Sequence, residues 1–149
     1  MVESPLPDEI RRVAKLLDDA VESEDTATVL SCFADECEIE LPGVTLHGKA
    51  GVQKALDWMY RELGTIAFEP VTILVEGGTF VEEFVLRARK AAGPEVRAKA
   101  TEVLIYKDYK VTHLRFYFDR LTLARTLARG ILERWIVGKM ERVSLRGLA

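Results

Sequence analysis

Two glutamates on neighbouring predicted strands are the residues of this chain best suited to chemistry. Glu82 and Glu102 each lie in a stretch where apolar and polar residues alternate. Because successive side chains of a strand point to opposite faces, Glu82 shares a face with Phe84, and Glu102 shares a face with Ala100. Both carboxyl groups are therefore predicted to point into an apolar interior.

A carboxyl group in such surroundings is suited to proton transfer. Loss of water raises its pKa, and repulsion between neighbouring carboxylates raises one of them further. A group tuned toward neutrality acts as a general acid or base. We therefore expect Glu102, helped by Glu82, to move a proton on a small hydrophobic substrate. The alternative is that each glutamate pairs with an arginine or lysine, or lies in water at the rim of the sheet.

Two further residues are candidates for the catalytic group. His47 precedes Gly48 at the start of a predicted helix, where it could bind a ligand or carry a proton near neutral pH. The alternative is a loop histidine that bonds to the backbone. Asp119 ends the last predicted strand, and it is either a catalytic carboxylate or the N-cap of the helix that follows.

The spacing of apolar residues predicts the elements that position these groups. Helical spacing predicts a first helix capped by Asp8, a short second helix capped by Asp25, and a third helix from Gly48 to about Leu63. Alternation predicts a short strand from Cys37 and four longer strands. The longer strands are predicted over 65–76, 79–90, 96–107 and 110–119, and a last helix from Arg120 into the 140s with a break at Gly130 or Gly138.

This order of elements predicts an α+β domain. Three N-terminal helices followed by hairpin-connected strands indicate a curved antiparallel sheet packed against those helices, with an added C-terminal helix. Between the sheet and the helices we expect a pocket with apolar walls. The residues predicted to line it are Ile39, Leu41, Met59, Leu63, Phe84, Ala98, Ala100, Leu114, Phe116 and Phe118.

The composition is typical of a single soluble domain, expected over 1–149. Of the 149 residues, 48% are hydrophobic and 30% are charged. The first five residues carry no secretory signal, and no apolar run approaches the roughly 20 residues that cross a bilayer. Cys32 and Cys37 are predicted to be reduced, buried thiols of a cytoplasmic protein. Without metal-ligand spacing, phosphate loops or basic stripes, we predict no cofactor, metal, nucleic acid or membrane partner.

The net charge of −3 is unevenly distributed along the chain. The segment 120–149 holds seven basic and two acidic residues, a balance of +5, whereas the first 119 residues have a balance of −8. We therefore expect 130–149 to be a basic helical extension that covers a second copy in a homodimer, or that touches an acidic partner. The alternative is an ordinary solvated helix face.

Four short motifs, in this order, resemble the SnoaL-like branch of the NTF2-like superfamily. They are Phe33-Ala34-Asp35-Glu36, Glu40-Leu41-Pro42-Gly43, Leu46-His47-Gly48-Lys49 and Tyr117-Phe118-Asp119. The resemblance covers about residues 8–128. It implies a cone-shaped pocket and frequent homodimers. Its members include polyketide cyclases, steroid isomerases, limonene-type epoxide hydrolases and proteins without a known reaction, so the fold alone does not select a function.

The resemblance lets each of those reactions be compared with the residues present. Where steroid isomerases have their aspartate base and tyrosine donor, this chain has Leu41 and Leu17. The final aspartate of the epoxide hydrolases falls at Phe116, and the rest of their polar set is essentially missing. By the same resemblance, Asp119 corresponds to the aspartate that polyketide cyclases use near the end of the last strand.

Three functions stay open at this point. The first is a cofactor-free isomerase, cyclase or hydrolase acting on a hydrophobic small molecule. The second is a ligand-binding or partner-binding module without a reaction, and the third is an oligomerising protein whose basic tail helix covers a neighbour. Two inward carboxyl groups in an open pocket favour the first. Leu41 and Phe116 at expected catalytic positions favour the other two.

Overall fold

The computed structural model describes residues 6–148, which form five helices and six strands. Met1–Pro5 and Ala149 lie outside this range, and so does part of the predicted single domain. The elements are α1 (Pro7–Glu22), α2 (Thr26–Cys32), β1 (Phe33–Leu41), β2 (Val44–His47), α3 (Gly48–Leu63), β3 (Thr65–Glu76), β4 (Thr79–Arg89), β5 (Glu95–Lys107), β6 (Lys110–Phe118), α4 (Arg120–Leu127) and α5 (Ile131–Ser144).

All six strands join one open, curved sheet in the order β2-β1-β6-β5-β4-β3. The hairpins and the α+β class are as predicted. The sheet is nevertheless mixed, because β1 and β6 pair parallel while the other four pairings are antiparallel. The prediction of a purely antiparallel sheet is therefore wrong at this one pairing. The connection through α3 moves the chain to the far edge, so that β6 returns beside β1 in the same direction.

The first three helices pack against this sheet. The apolar stripe of α1 has the spacing of a helix face, and its buried members are Ile10, Val13, Ala14, Leu17, Ala20 and Val21. This stripe belongs to the larger of two core clusters, together with residues of α2, α3 and the sheet. A second cluster joins the end of α3 to the middle strands and to Leu123 of α4. The predicted layer arrangement of sheet and helices is therefore observed.

Two element boundaries differ from the predictions. α1 begins at Pro7, so Asp8 lies in its first turn, and the N-cap is Leu6 without a side-chain hydrogen bond. Proline suits the first helical position because its missing N–H needs no partner there. β1 begins at Phe33 rather than at Cys37, because residues 33–36 are extended and the pairing of β1 with β6 shifts register between Phe33 and Glu38.

The C-terminal segment is two helices rather than one. The chain leaves the helical conformation after Leu127, and Gly130 is the N-cap of α5, so the predicted break falls at Gly130. Gly138 lies inside α5. α4 packs against β5 through the buried Leu123, whereas α5 has no buried residue and packs mainly against α4.

None of the helices within 6–148 combines the length and the apolar character needed to cross a membrane.

Candidate functional site

Glu82 and Glu102 lie directly opposite each other on neighbouring strands. The row in which they pair runs from Ile73 on β3, through the two glutamates, to Phe116 on β6. Glu82 is 1% exposed and Glu102 is 7% exposed, as expected from the alternation along the strands. Like charges opposite one another in a sheet are destabilising. The arrangement is therefore one that stability alone does not favour.

A third carboxyl group joins the pair from helix α1. This helix packs across β3 and β4, and Asp18 follows the buried Leu17 on it. The carboxylate groups of Asp18, Glu82 and Glu102 place oxygens within 4.8 Å of one another. These three residues are called the carboxyl cluster below. Oxygens at such separations attract a positive charge, whether a proton, a metal ion or an ammonium group.

The carboxyl cluster has no ion-pair partner within residues 6–148. The arginines of β4 and β5 lie on the opposite face of the sheet, where they pair with other acids. Arg87 contacts Glu69 at 3.0 Å and Glu95 at 2.8 Å, and Arg97 contacts Glu69 at 2.7 Å. The alternative in which Glu82 and Glu102 each pair with a basic side chain is therefore not what the structure shows.

Loss of water is the largest cause of a raised pKa at each of the three carboxyl groups. At Asp18 the charges of Glu82 and Glu22 add to burial, and together they raise the pKa to about 8. At Glu102 burial and then the charges of Asp18 and Glu82 hold the pKa well above its usual range. Burial alone raises the pKa of Glu82. The cluster therefore retains protons at neutral pH, and Glu82 is the member whose pKa is raised by burial alone.

A tyrosine hydroxyl without a partner lies near the same three groups. Tyr106 is 5% exposed, and its hydroxyl oxygen has no hydrogen-bond partner within the described chain. Its side chain leaves β5 on the buried face that also carries Glu102. Burial first, and then the negative charges of Glu102 and Asp18, raise the pKa of this hydroxyl. A buried polar group is normally satisfied, so this one is available to a ligand.

An aromatic cluster borders the carboxyl cluster on the sheet. Phe68 and Phe84 pack edge to face with centroids 5.2 Å apart, Phe84 lies 5.6 Å from Phe116, and Phe116 lies 5.7 Å from Phe118. Because Phe116 is the register partner of Glu102, rings and carboxyl groups meet along one row. The site therefore combines an acidic part with an apolar part.

The ten residues predicted to line a pocket are all buried or partly buried. Ile39, Leu63, Phe84, Ala98 and Ala100 are buried, and Leu41, Met59, Leu114, Phe116 and Phe118 pack against the two core clusters. Two depressions are defined elsewhere, one of about 490 Å³ on the outer face of α1 and one of about 470 Å³ on α5. None of the ten residues lines either of them, so the pocket stays a prediction.

The other two catalytic candidates lie apart from the carboxyl cluster. Asp119 is the N-cap of α4: its carboxylate accepts hydrogen bonds from the backbone N–H groups of Leu121 and Thr122, both at 3.1 Å. His47 is exposed at the end of β2, and its Nδ1 lies 3.6 Å from a carboxylate oxygen of Glu38. Within residues 6–148, neither side chain belongs to the group of acids within 4.8 Å. A catalytic role for either one stays untested.

Two members of the site were missed by the sequence analysis. Asp18 is a polar residue directly beside the apolar stripe of α1, one position after Leu17. A polar residue beside such a stripe is the signal that could have identified it. Tyr106 continues the inward alternation of β5 two positions beyond Leu104. Parity alone could have placed it with Glu102.

Comparison with known proteins gives the chain a family and a fold. The model of a SnoaL-like domain matches residues 13–114. No curated protein matches the chain. Among solved structures, an NTF2-like protein of unknown function from Burkholderia pseudomallei is similar with a TM-score of 0.75 and 16% identity, covering 81% of this chain and 98% of that one.

Two further solved structures are similar over most of this chain. An LEH-like epoxide hydrolase from M. tuberculosis has a TM-score of 0.71 and 21% identity, with coverage of 89% here and 98% there. A putative SnoaL-like polyketide cyclase from Jannaschia has a TM-score of 0.75 and 11% identity, with coverage of 87% and 99%. At these identities the likeness establishes the fold alone.

Proposed function

We propose, from the premise that the chain belongs to the SnoaL-like family, that it is a cofactor-free enzyme that transfers a proton on a hydrophobic small molecule. Glu82 and Glu102 are the acting groups, and Asp18 tunes them. The reaction class is an isomerisation or a cyclisation, since both can proceed by moving a proton between two atoms of one substrate. Its neighbours in fold include structures named as a polyketide cyclase and an epoxide hydrolase.

The observation that carries this proposal is the carboxyl cluster itself. Its acids are buried and close together without a basic partner in the described chain, and this arrangement lowers the stability of the folded state. Proteins keep such unfavourable arrangements mainly at functional sites. Perturbed carboxyl groups in an apolar interior are typical of acid–base sites. The aromatic cluster beside them supplies apolar contacts for a substrate.

The raised pKa values suit Glu82 to the role of general base and Glu102 to the role of general acid. In the proposed cycle Glu82 is the ionised member, and its carboxylate takes a proton from a carbon or hydroxyl of the substrate. Glu102 keeps its proton at neutral pH and donates it to a second atom of the same substrate. The proton that Glu82 gained then passes within the cluster to Glu102, and the starting state is restored. No oxidant, reductant or metal is consumed in this cycle.

A general test needs only a probe for a base in an apolar site. The ring-opening elimination of 5-nitrobenzisoxazole begins with removal of a carbon-bound proton and is followed by absorbance. We expect the protein to accelerate this reaction above an equal concentration of acetate. Glu82→Gln and Glu102→Gln should each lower the rate by roughly 10²–10⁴-fold, the usual contribution of a general acid or base.

The matched control is Glu83→Gln. This glutamate neighbours Glu82 on β4, is exposed on the opposite face, and accepts a hydrogen bond from the hydroxyl of Thr72 at 3.1 Å. Its substitution should leave the rate unchanged. A loss smaller than about tenfold in Glu102→Gln, or no rate above acetate in the unmodified protein, contradicts the proposal.

A second function, self-association, is favoured by α5. This helix exposes most of its large apolar side chains, including Ile131 at 90%, Leu132 at 69% and Trp135 at 56%. Contiguous exposed apolar surface of this kind is typical of interaction sites. The helix also belongs to the basic segment of an otherwise acidic chain. A second copy of this chain carries both an apolar α5 and an acidic body, so we propose a second copy as the partner of this helix.

A further inference from the structure

We infer that the carboxyl cluster binds the protonated amine of an amphiphilic ligand, whose hydrophobic body lies along the aromatic cluster. This inference rests on the proposed function, because it concerns the same site and specifies the substrate class. It adds that the substrate carries a positive charge at the end that meets Asp18, Glu82 and Glu102.

The carboxyl cluster lacks a positively charged partner within the described residues. Glu69 and Glu95 on the outer face of the sheet are paired with arginines, whereas the carboxyl cluster has no ion-pair partner within 6–148. Buried acids are normally paired or bound to a cation. The described chain supplies no positive side chain, so the free cluster holds protons instead, and a cation that enters with a ligand would take their place.

The hydroxyl of Tyr106 also lacks a hydrogen-bond partner within the described residues. It is a buried oxygen without a hydrogen bond, and the charges of the carboxyl cluster act on it. A primary ammonium group donates three hydrogen bonds in different directions. Two carboxylates and one phenolic oxygen offer enough acceptors for all three, so the ammonium group would give the Tyr106 hydroxyl oxygen the partner that it lacks within the described chain.

The order of residues across the sheet places acids beside aromatic rings. The row that carries Glu82 and Glu102 ends at Phe116, and the next row contains Phe84 and Phe118. One end of a ligand along these rows would meet acids, and its other end would meet aromatic rings. Aromatic faces also attract cations, so the two parts of the site favour the same kind of molecule.

The member of the carboxyl cluster nearest to solvent lies on α1. Asp18 is the least buried member of the cluster, and Glu102 retains 7% exposure. The cluster is therefore not sealed off from solvent. A ligand entering from this side would meet the charged groups before the rings.

Isothermal titration calorimetry with benzylamine and its uncharged analogue benzyl alcohol tests the inference. We expect benzylamine to bind at least about tenfold more tightly, because only the cation neutralises the cluster. Because the free cluster holds protons, amine binding should release protons, seen as a binding enthalpy that differs between phosphate and Tris buffers. Equal affinity for the two probes, or binding without proton release, would overturn the inference.

Four variants locate the binding. Glu82→Gln and Glu102→Gln should each weaken benzylamine binding by at least about tenfold, whereas Glu83→Gln should not change it. Tyr106→Phe removes an unsatisfied hydroxyl, so it should fold normally and bind the amine several-fold more weakly. Undiminished binding in Glu102→Gln, with circular dichroism showing a folded protein, would place the amine elsewhere and refute the site.

Magnesium and manganese chlorides are the competing probes. If either metal binds without the amine and displaces it stoichiometrically at lower concentration, the cluster is a metal site and the inference fails. The proposed function is judged separately by the elimination assay. Elimination activity without amine binding refutes only the present inference, and amine binding without activity refutes only the proposed function.

Discussion

Three uncompensated carboxyl groups make the interior of this domain sensitive to pH. A carboxyl group whose pKa is raised by folding keeps its proton in the folded state after the unfolded chain has lost it. Between the two pKa values the folded state binds more protons, so the free energy of unfolding falls as the pH rises. For Asp18 this window extends from about pH 4, its unfolded value, to about 8.

Asp18→Asn should flatten this pH dependence. It removes one titrating group and one of the charges that raise the pKa of Glu102. We expect the unmodified protein to lose stability between about pH 4 and about pH 8, at most about 1.4 kcal/mol per pH unit for each extra proton held. The variant should lose less and be the more stable of the two at the higher pH, as measured by urea denaturation.

Asp19→Asn is the control for that experiment. Asp19 is the exposed neighbour of Asp18 and pairs with Lys15 at 2.6 Å, an interaction of small value at a surface. Its substitution should leave the pH slope as it is. If Asp18→Asn shows the slope of the unmodified protein, Asp18 does not share the buried titration and the account of the cluster is wrong.

The alternation of side chains along the strands was sufficient to predict that Glu82 and Glu102 point into the interior. A period of two assigns a face once the strand is known, and the apolar neighbours identify the buried face. Asp18 could not be assigned in this way, because its proximity depends on how α1 crosses β3 and β4. The crossing is a property of packing between distant segments, which local spacing does not contain.

At the scale of elements, α4 joins the sheet to the C-terminal extension. Its start is determined by Asp119, whose two backbone hydrogen bonds satisfy N–H groups that the helix itself leaves free. Its apolar side contacts the second core cluster through Leu123 and Leu127. The helix therefore closes the core beside the aromatic cluster, and its stability matters for the site.

Substitutions of Asp119 separate capping from catalysis. Asp119→Ala should lower the free energy of unfolding by about 1 kcal/mol, because the cap is lost, whereas Asp119→Asn retains an acceptor and should cost little. Both variants should keep the elimination rate of the unmodified protein. Urea denaturation and the absorbance assay measure the two effects. A rate in Asp119→Asn lower by about 10²-fold or more would make this residue a catalytic carboxylate after all.

Helices and strands were largely predictable because their signals are local. Spacing of apolar residues identified β1, the four longer strands and the first three helices, and Gly130 was one of the two glycines predicted to separate α4 from α5. The errors occurred where pairing decides the outcome. The segment from Phe33 to Glu36 is extended because β6 lies beside it, and nothing within those four residues specifies that neighbour.

At the scale of the whole molecule, the chain divides into an acidic body and a basic arm. α5 has no buried residue and exposes a strip that includes Trp135, Ile136 and Met140. A helix with an unburied apolar face gains free energy when that face is covered. In the self-association that we propose, the acidic body of a second copy would supply the charge opposite to that of the arm.

Sedimentation velocity tests this arrangement. The unmodified protein should sediment as a dimer at micromolar concentration, at twice the chain mass of 16.8 kDa. Trp135→Glu combined with Met140→Glu should convert it to a folded monomer, because both side chains are exposed. Leu16→Glu, an equally drastic change on the exposed side of α1, should leave the dimer intact. A monomeric unmodified protein would remove the case for self-association.

Periodicity and local motifs were sufficient to predict the fold class, the order of elements, the family resemblance and the inward direction of two glutamates, because each of these depends on residues close together in the chain. The three-dimensional arrangement was needed to show that β1 pairs parallel with β6, that Asp18 completes the carboxyl cluster, and that the Tyr106 hydroxyl has no hydrogen-bond partner within residues 6–148. Those outcomes depend on which distant segments meet in space. The free energy of such contacts belongs to pairs of residues and not to either segment alone.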